Sequence, residues 1–204
     1  YQDWQKKQLA MVEADRLWTT LKAEKMESAE GVKFETLADG SVLVKGKKPE
    51  KETYKIRVKD IPNPISSLRI DALPHDSLPE KGAGRAGNGN FVMTEVVARI
   101  EKANGDRVTA PFAAARADFE QTQGGEANAY KKWPAEALID HNAQGENAGW
   151  AILPETGRAH QVILELSQPI KLEAGDTLLV EMEFNYGGTH SIGRFRLSAT
   201  SSYD

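Results

Sequence analysis

The sequence predicts an all-β protein, a jelly-roll β-sandwich preceded by a short N-terminal helix. The last third carries the clearest signal. Residues 161–166, 177–184 and 192–200 are alternating or apolar runs, separated by Pro169, Gly175 and the pair Gly187-Gly188. Strands at this spacing with no helices between them indicate a sandwich rather than βαβ units. The second observation is a hairpin signature, with Val32, Phe34 and Leu37 before Asp39-Gly40 and Val42 and Val44 after it. Asp-Gly tolerates the positive φ that tight hairpin turns require. A length of 204 residues suits one such domain.

Residues 1–16 are expected to form a helical connector from a preceding domain, because Trp4, Gln8, Met11, Val12, Leu17 and Leu21 make an irregular helical stripe among polar residues. Residues 17–204 then form the sandwich module. Tyr54, Ile56 and Val58 alternate with Lys55, Arg57 and Lys59, and Leu68, Ile70 and Ala72 repeat the pattern, as strands with one buried face do. Residues 74–90 hold two prolines and four glycines and run into a strand expected over 91–97. Two further polar stretches, 121–132 and 140–149, lead to Trp133 and Trp150. Trp18 and Trp150 are each expected to start a strand and pack in the core.

Composition excludes several functions. A net charge of -4 with mixed acids and bases, including a basic cluster at Lys45, Lys47 and Lys48, argues against nucleic acid as a partner. No window is apolar enough for a membrane-spanning helix. The absence of cysteine removes disulfides, thiolate metal sites and covalent haem attachment. There is no Gly-x-Ser-x-Gly, His-Glu-x-x-His or phosphate-binding Gly-Lys-Ser/Thr, and His75, His141, His160 and His190 show no ligand spacing. The chain is therefore not expected to be an enzyme. Glu181 and Glu183 would lie on one strand face as a polar stripe, and Arg194 and Arg196 would share the face opposite Phe195 and Leu197.

Three segments carry a resemblance: residues 68–74 (Leu-Arg-Ile-Asp-Ala-Leu-Pro), residues 82–95 (Gly-Ala-Gly-Arg-Ala-Gly-Asn-Gly-Asn-Phe-Val-Met-Thr-Glu) and residues 190–198 (His-Ser-Ile-Gly-Arg-Phe-Arg-Leu-Ser). They resemble a module of the multidomain planctomycete-type cytochrome c proteins, and Trp18-Thr19-Thr20-Leu21 is similar to its opening. The likeness covers about residues 17–201. Residues 137–140 and Gly149-Trp150 further resemble the galactose-binding-like, discoidin-type jelly roll. Two departures stand out. Ala83 replaces the proline of the family's Gly-Pro-Gly-Arg loop, which is expected to loosen it, and no haem-binding motif is present.

By analogy, that fold implies carbohydrate binding and a periplasmic or extracellular setting. Sugar sites need aromatic faces for C–H surfaces and planar polar groups for neighbouring hydroxyls. The residues of those types are Arg85, Asn88, Asn90, Tyr130, Trp133, Arg158, Tyr186 and His190. Arg85 has a second reading as a clamp on carbonyls of its own loop. For metal, Asp140, Asn142, Gln144 and Gly145 copy the start of a calcium loop, but Ala151 stands where an EF-hand needs a bidentate glutamate. The resemblance still implies a structural Ca2+, for which Asp140 and Asn142, with Asp76 or Glu95, are the available ligands. The function expected is a non-catalytic polysaccharide-binding module that also packs against flanking domains of a larger protein. The alternative is a structural or protein-interaction spacer without a ligand, which predicts buried tryptophans and a large apolar patch.

Overall fold

The computed structural model describes residues 17–144 and 148–202. The connector expected over residues 1–16 lies outside the described residues. Fourteen strands follow one another: β1 (Thr19–Thr20), β2 (Lys25–Ser28), β3 (Lys33–Thr36), β4 (Val42–Lys45), β5 (Glu52–Val58), β6 (Ile65–Ala72) and β7 (Val92–Met93), then β8 (Glu95–Glu101), β9 (Arg107–Ala110), β10 (Phe112–Ala117), β11 (Trp150–Ala151), β12 (His160–Ile170), β13 (Thr177–Phe184) and β14 (Arg194–Thr200). Among the described residues the helical content is two 3₁₀ turns, Pro79–Lys81 and Ala135–Ile139.

The strands form a β-sandwich of the jelly-roll class. One sheet has seven strands in the order β10-β12-β6-β14-β4-β3, with β1 also paired to β14. The other has five, in the order β2-β5-β13-β8-β9. Neighbours are antiparallel and often distant in sequence, as with β6 between β12 and β14. A two-stranded ribbon of β7 and β11 sits apart from both sheets.

Side-chain alternation explains the layers. Along β5, Tyr54, Ile56 and Val58 are buried while Lys55 and Arg57 face outward. Their register against β13 places Val180 opposite Ile56 and Glu181 opposite Lys55, so apolar residues meet inside and opposite charges outside. Outside, Glu181 pairs with both Lys55 and Arg99, and Arg57 bridges Glu27 and Glu101. Arg194 and Arg196 share a face as expected, pairing with Asp39 at 2.7 Å and Asp71 at 2.9 Å. Inside, Tyr54 packs edge-on against Phe34 and stacks on Phe195, and its hydroxyl donates to the Ile192 carbonyl at 3.0 Å. Burial raises its pKa to about 12.

The Asp39-Gly40 hairpin forms between β3 and β4, with Gly40 at φ +77. The run over 91–97 is two strands rather than one. Thr94 separates them, because both its N–H and its hydroxyl donate to the Glu183 carbonyl. Trp150 is fully buried, with its indole N–H on the Phe119 carbonyl, whereas Trp18 is only partly buried and lies over the Arg69 guanidinium at 5.1 Å. That places Trp18 on the outer face of the larger sheet, where Asp71 joins Arg69 to Arg196. All eight residues of β6 are buried, so this central strand has no solvated side.

The glycine loop closes tightly. A Cβ at Gly84 would lie 1.8 Å from the Asn90 carbonyl oxygen, so no other residue fits without moving backbone. Ala83 does not loosen this loop. It is fully buried, its N–H donates to the Thr156 carbonyl, and its own carbonyl accepts from Gly193 at 2.7 Å. A proline there would lack that N–H. Asn90 then ties the loop down: its side-chain amide donates to Gln121 at 3.0 Å and its side-chain oxygen accepts from the Ile152 N–H at 3.1 Å. Asn90→Ala leaves the Ile152 N–H without a partner, while Gln121 Oε1 keeps the Leu153 N–H. It is expected to lower unfolding free energy by about 1–3 kcal/mol in urea titration, and an unchanged midpoint would show that the bridge is dispensable.

Candidate functional site

The β7–β11 ribbon is the floor on which the loop residues assemble. Gln121 and Trp133 close the 121–133 segment, since Trp133 N–H donates to the Gln121 carbonyl at 2.8 Å and Gln121 N–H to Ala151 at 3.0 Å. Asn128 shapes the interior of that loop by donating to Lys132 and accepting from the Tyr130 N–H. Closure presses the Trp133 ring onto Val92 and Ala151, one residue from each ribbon strand. Val92 N–H in turn donates to the His190 carbonyl at 2.9 Å, which fastens residues 185–193 to the same floor.

Three rings come together here. Tyr186 meets Trp133 edge-on at 5.2 Å and His190 edge-on at 5.0 Å. Tyr186 is 38% exposed, and Trp133 only 6%. The accessible aromatic is therefore Tyr186, held in place by its two neighbours, and the Trp133 face expected to stack on a ligand is covered. Trp133 retains one unsatisfied feature: among the described residues its buried Nε1 has no acceptor. A Cβ at Gly124 would lie 3.9 Å from that nitrogen, so a glycine borders the unfilled donor. His190 is half-buried and its Nδ1 bonds the Gly187 carbonyl at 2.9 Å.

The other sequence candidates divide. Arg85 is buried and clamps carbonyls, but those of Gly46 and Lys47 in the segment after β4 rather than those of its own loop. Asn90 is consumed by its bridge, and Asn88 is exposed but accepts from the Asn90 N–H. Arg158 is exposed and ion-paired with Glu155 at 3.1 Å; no hydrogen bond or ring contact among the described residues joins it to the three rings. Tyr130 is half-buried, with its hydroxyl on Asp140 at 2.8 Å, and burial followed by that carboxylate raises its pKa to about 12.

Asp140 and Asn142 form a local turn, not a chelating pair. Asp140 Oδ1 accepts the Asn142 N–H at 2.8 Å and Oδ2 accepts from Tyr130, so both oxygens face protein donors. Asp76 lies apart, paired with Lys81. Among the described residues no three His, Cys, Asp or Glu side chains converge in a metal-holding group. These residues do not fit the expected calcium site.

Glu95 was considered only as a calcium ligand, and its position is more specific than that. It stands directly across from Glu183 in the β8–β13 register, a like-charge pairing on the outer face of the smaller sheet. Its Oε2 is buried without a partner. Burial first, then the Asp140 and Glu183 carboxylates, push its pKa up to about 7, against partial relief from the backbone N–H groups of His141 and Asn142. Asn185, the neighbour of Tyr186, donates to both Glu183 at 3.0 Å and the Ala143 carbonyl at 2.6 Å, so this cluster abuts the aromatic site. No sequence signal marks it, because cross-strand register is invisible without the sheet.

No protein-family model matches the chain, and no curated protein does. Among solved structures, a family 29 carbohydrate-binding module is 8% identical over 90% of this chain and 88% of its own, with a TM-score of 0.33. A carbohydrate-binding module that recognises mannan is 10% identical over 92% and 88%, also at 0.33. A family 11 module from Clostridium thermocellum, bound to a mixed-linked tetrasaccharide, is 9% identical over 92% and 91%, at 0.32. At these scores the assignment to a β-sandwich rests on this chain's own sheets.

The raised Glu95 pKa has a pH consequence. The folded chain keeps this proton up to about pH 7, while the unfolded chain releases it near 4.5. The stabilisation it gives is full below 4.5 and is lost as pH rises through 7. Glu95→Gln is therefore expected to raise the thermal midpoint at pH 8 by several degrees and to change it little near pH 4. An equal effect at both pH values would contradict the assignment.

Proposed function

We propose that the chain is a non-catalytic carbohydrate-binding module whose ligand rests on Tyr186. The observation that carries this reading is an exposed phenol ring braced edge-on by Trp133 and His190 at the loop end of a sandwich. A braced ring offers a flat apolar face with little conformational entropy left to lose, and sugar C–H surfaces suit such a face. The module belongs, in this reading, to a larger extracytoplasmic protein of the kind the sequence resembles, which it holds to polysaccharide.

The spacer alternative gains one observation and loses another. Trp133 and Trp150 are buried, as it requires. The exposed large hydrophobics among the described residues do not share an element: Leu17 precedes β1 of the larger sheet, Val108 is on β9 at the edge of the smaller sheet, and Tyr186 follows β13. Affinity electrophoresis against a panel of polysaccharides separates the two. At least one polymer is expected to retard the protein, with Tyr186→Ala weakening retention about tenfold or more at an unchanged melting temperature. Free migration in every gel would favour the spacer.

Calcium has no part in this proposal, because the Asp140 oxygens are already engaged. A chelator is expected to leave both the melting temperature and gel retention unchanged. A fall of several degrees on chelation would restore a structural ion.

A further inference from the structure

Lys47, Lys48 and Lys51 find no ion-pair partner among the described residues, on a segment held to the loop of Tyr186. Lys47, Lys48 and Lys51 are exposed, and none is in an ion pair among the described residues; their neighbour Lys45 is spent on Glu35. The segment that carries them is anchored at two points. Arg85 donates to the Gly46 and Lys47 carbonyls, and the Glu50 carboxylate accepts the Gly188 N–H at 2.7 Å. Gly188 lies two residues after Tyr186 and two before His190, so the lysines border the aromatic site.

Charge on this side is unbalanced. Lys47, Lys48, Lys51 and Arg85 stand against two carboxylates, Glu50 and Glu52, which bond only neutral donors: the Gly188 N–H, the Ser28 hydroxyl and the Glu30 and Thr53 N–H groups. Arg85 adds a buried guanidinium whose Nη1 has no acceptor among the described residues. The carboxylates of Glu95, Asp140 and Glu183 lie on the other flank, beyond Asn185. The site is thus polarised, positive toward residues 47–51 and acidic toward residues 140–144.

Building on the carbohydrate reading, we propose that the ligand is an anionic polysaccharide, bearing carboxylate or sulfate groups, which lies on Tyr186 and extends over Lys47, Lys48 and Lys51. With a net charge of -4 the chain as a whole repels polyanions, so such binding has to come from a local patch. Mobile ammonium groups suit the scattered anions of a polymer better than a fixed bidentate fork does.

The test compares gels containing a polyuronate, a sulfated galactan and a neutral glucomannan, at low and high salt. Retention by one of the charged polymers, weakened about tenfold by the Lys47→Ala/Lys48→Ala/Lys51→Ala variant, by Tyr186→Ala and by high salt, supports the proposal, and the retaining polymer identifies the anion. Retention by glucomannan alone, indifferent to the lysine variant, overturns it while leaving the carbohydrate reading intact. Polyanion retention that Tyr186→Ala does not weaken also overturns it, as charge attraction without a site. No retention by any polymer defeats both readings. The three lysines are exposed, so their removal is not expected to disturb folding.

Discussion

The Asn90 carboxamide is where three irregular loops become one surface. Its amide reaches Gln121 and its oxygen takes the Ile152 N–H, so the glycine loop, the 121–133 segment and the segment that follows β11 are joined through one buried side chain. Gln121 repeats the trick, accepting also from Leu153 N–H and donating to Gln123. A buried polar network of this kind is costly if half satisfied and rigidifying when complete. Here its completion sets the ribbon on which Trp133 lies, and Trp133 braces Tyr186. The recognition surface is built from irregular backbone, but it is not a floppy one.

Electrostatics divide that surface. On one flank, Glu95 and Glu183 oppose each other across a strand pair with Asp140 nearby, an arrangement that is tolerated because Glu95 holds a proton to about pH 7. On the other, the Glu50 contact to Gly188 brings exposed lysines up to the same loop. Tyr186 stands between the two. A ligand that uses the ring therefore meets an oriented field rather than a neutral groove, and orientation of this sort contributes to specificity more than to affinity.

Strands β5, β12, β13 and the β3–β4 hairpin were legible from alternation or turn chemistry, and β6 was legible as a strand although both its faces are buried rather than one. Strands β9 and β10 were not, because β9 is exposed for three of its four residues and β10 lacks a regular inward face. At the site, the tyrosine and histidine of the aromatic trio were identifiable by type, but the burial of Trp133 was not. It depends on Val92 and Ala151 pairing into a ribbon, a contact between residues remote in sequence. The same holds for Arg85, whose carbonyl partners, Gly46 and Lys47, lie outside its own loop and are brought to it by the fold. Glu50 and Gln121 gave no signal at all, since each acts through long-range hydrogen bonds set by the fold.

In the proposed function, ligand meets the protein at Tyr186, the ring that Trp133 braces. Backbone and indole N–H resonances of a labelled sample, followed during titration with an oligosaccharide of the retaining polymer, report that contact. Shifts are expected at residues 186–190 and, through its ring contact with Tyr186, at the Trp133 indole N–H, with the buried Trp150 indole unmoved. Saturable shifts confined to another face, such as that of Trp18 and Arg196, would contradict it.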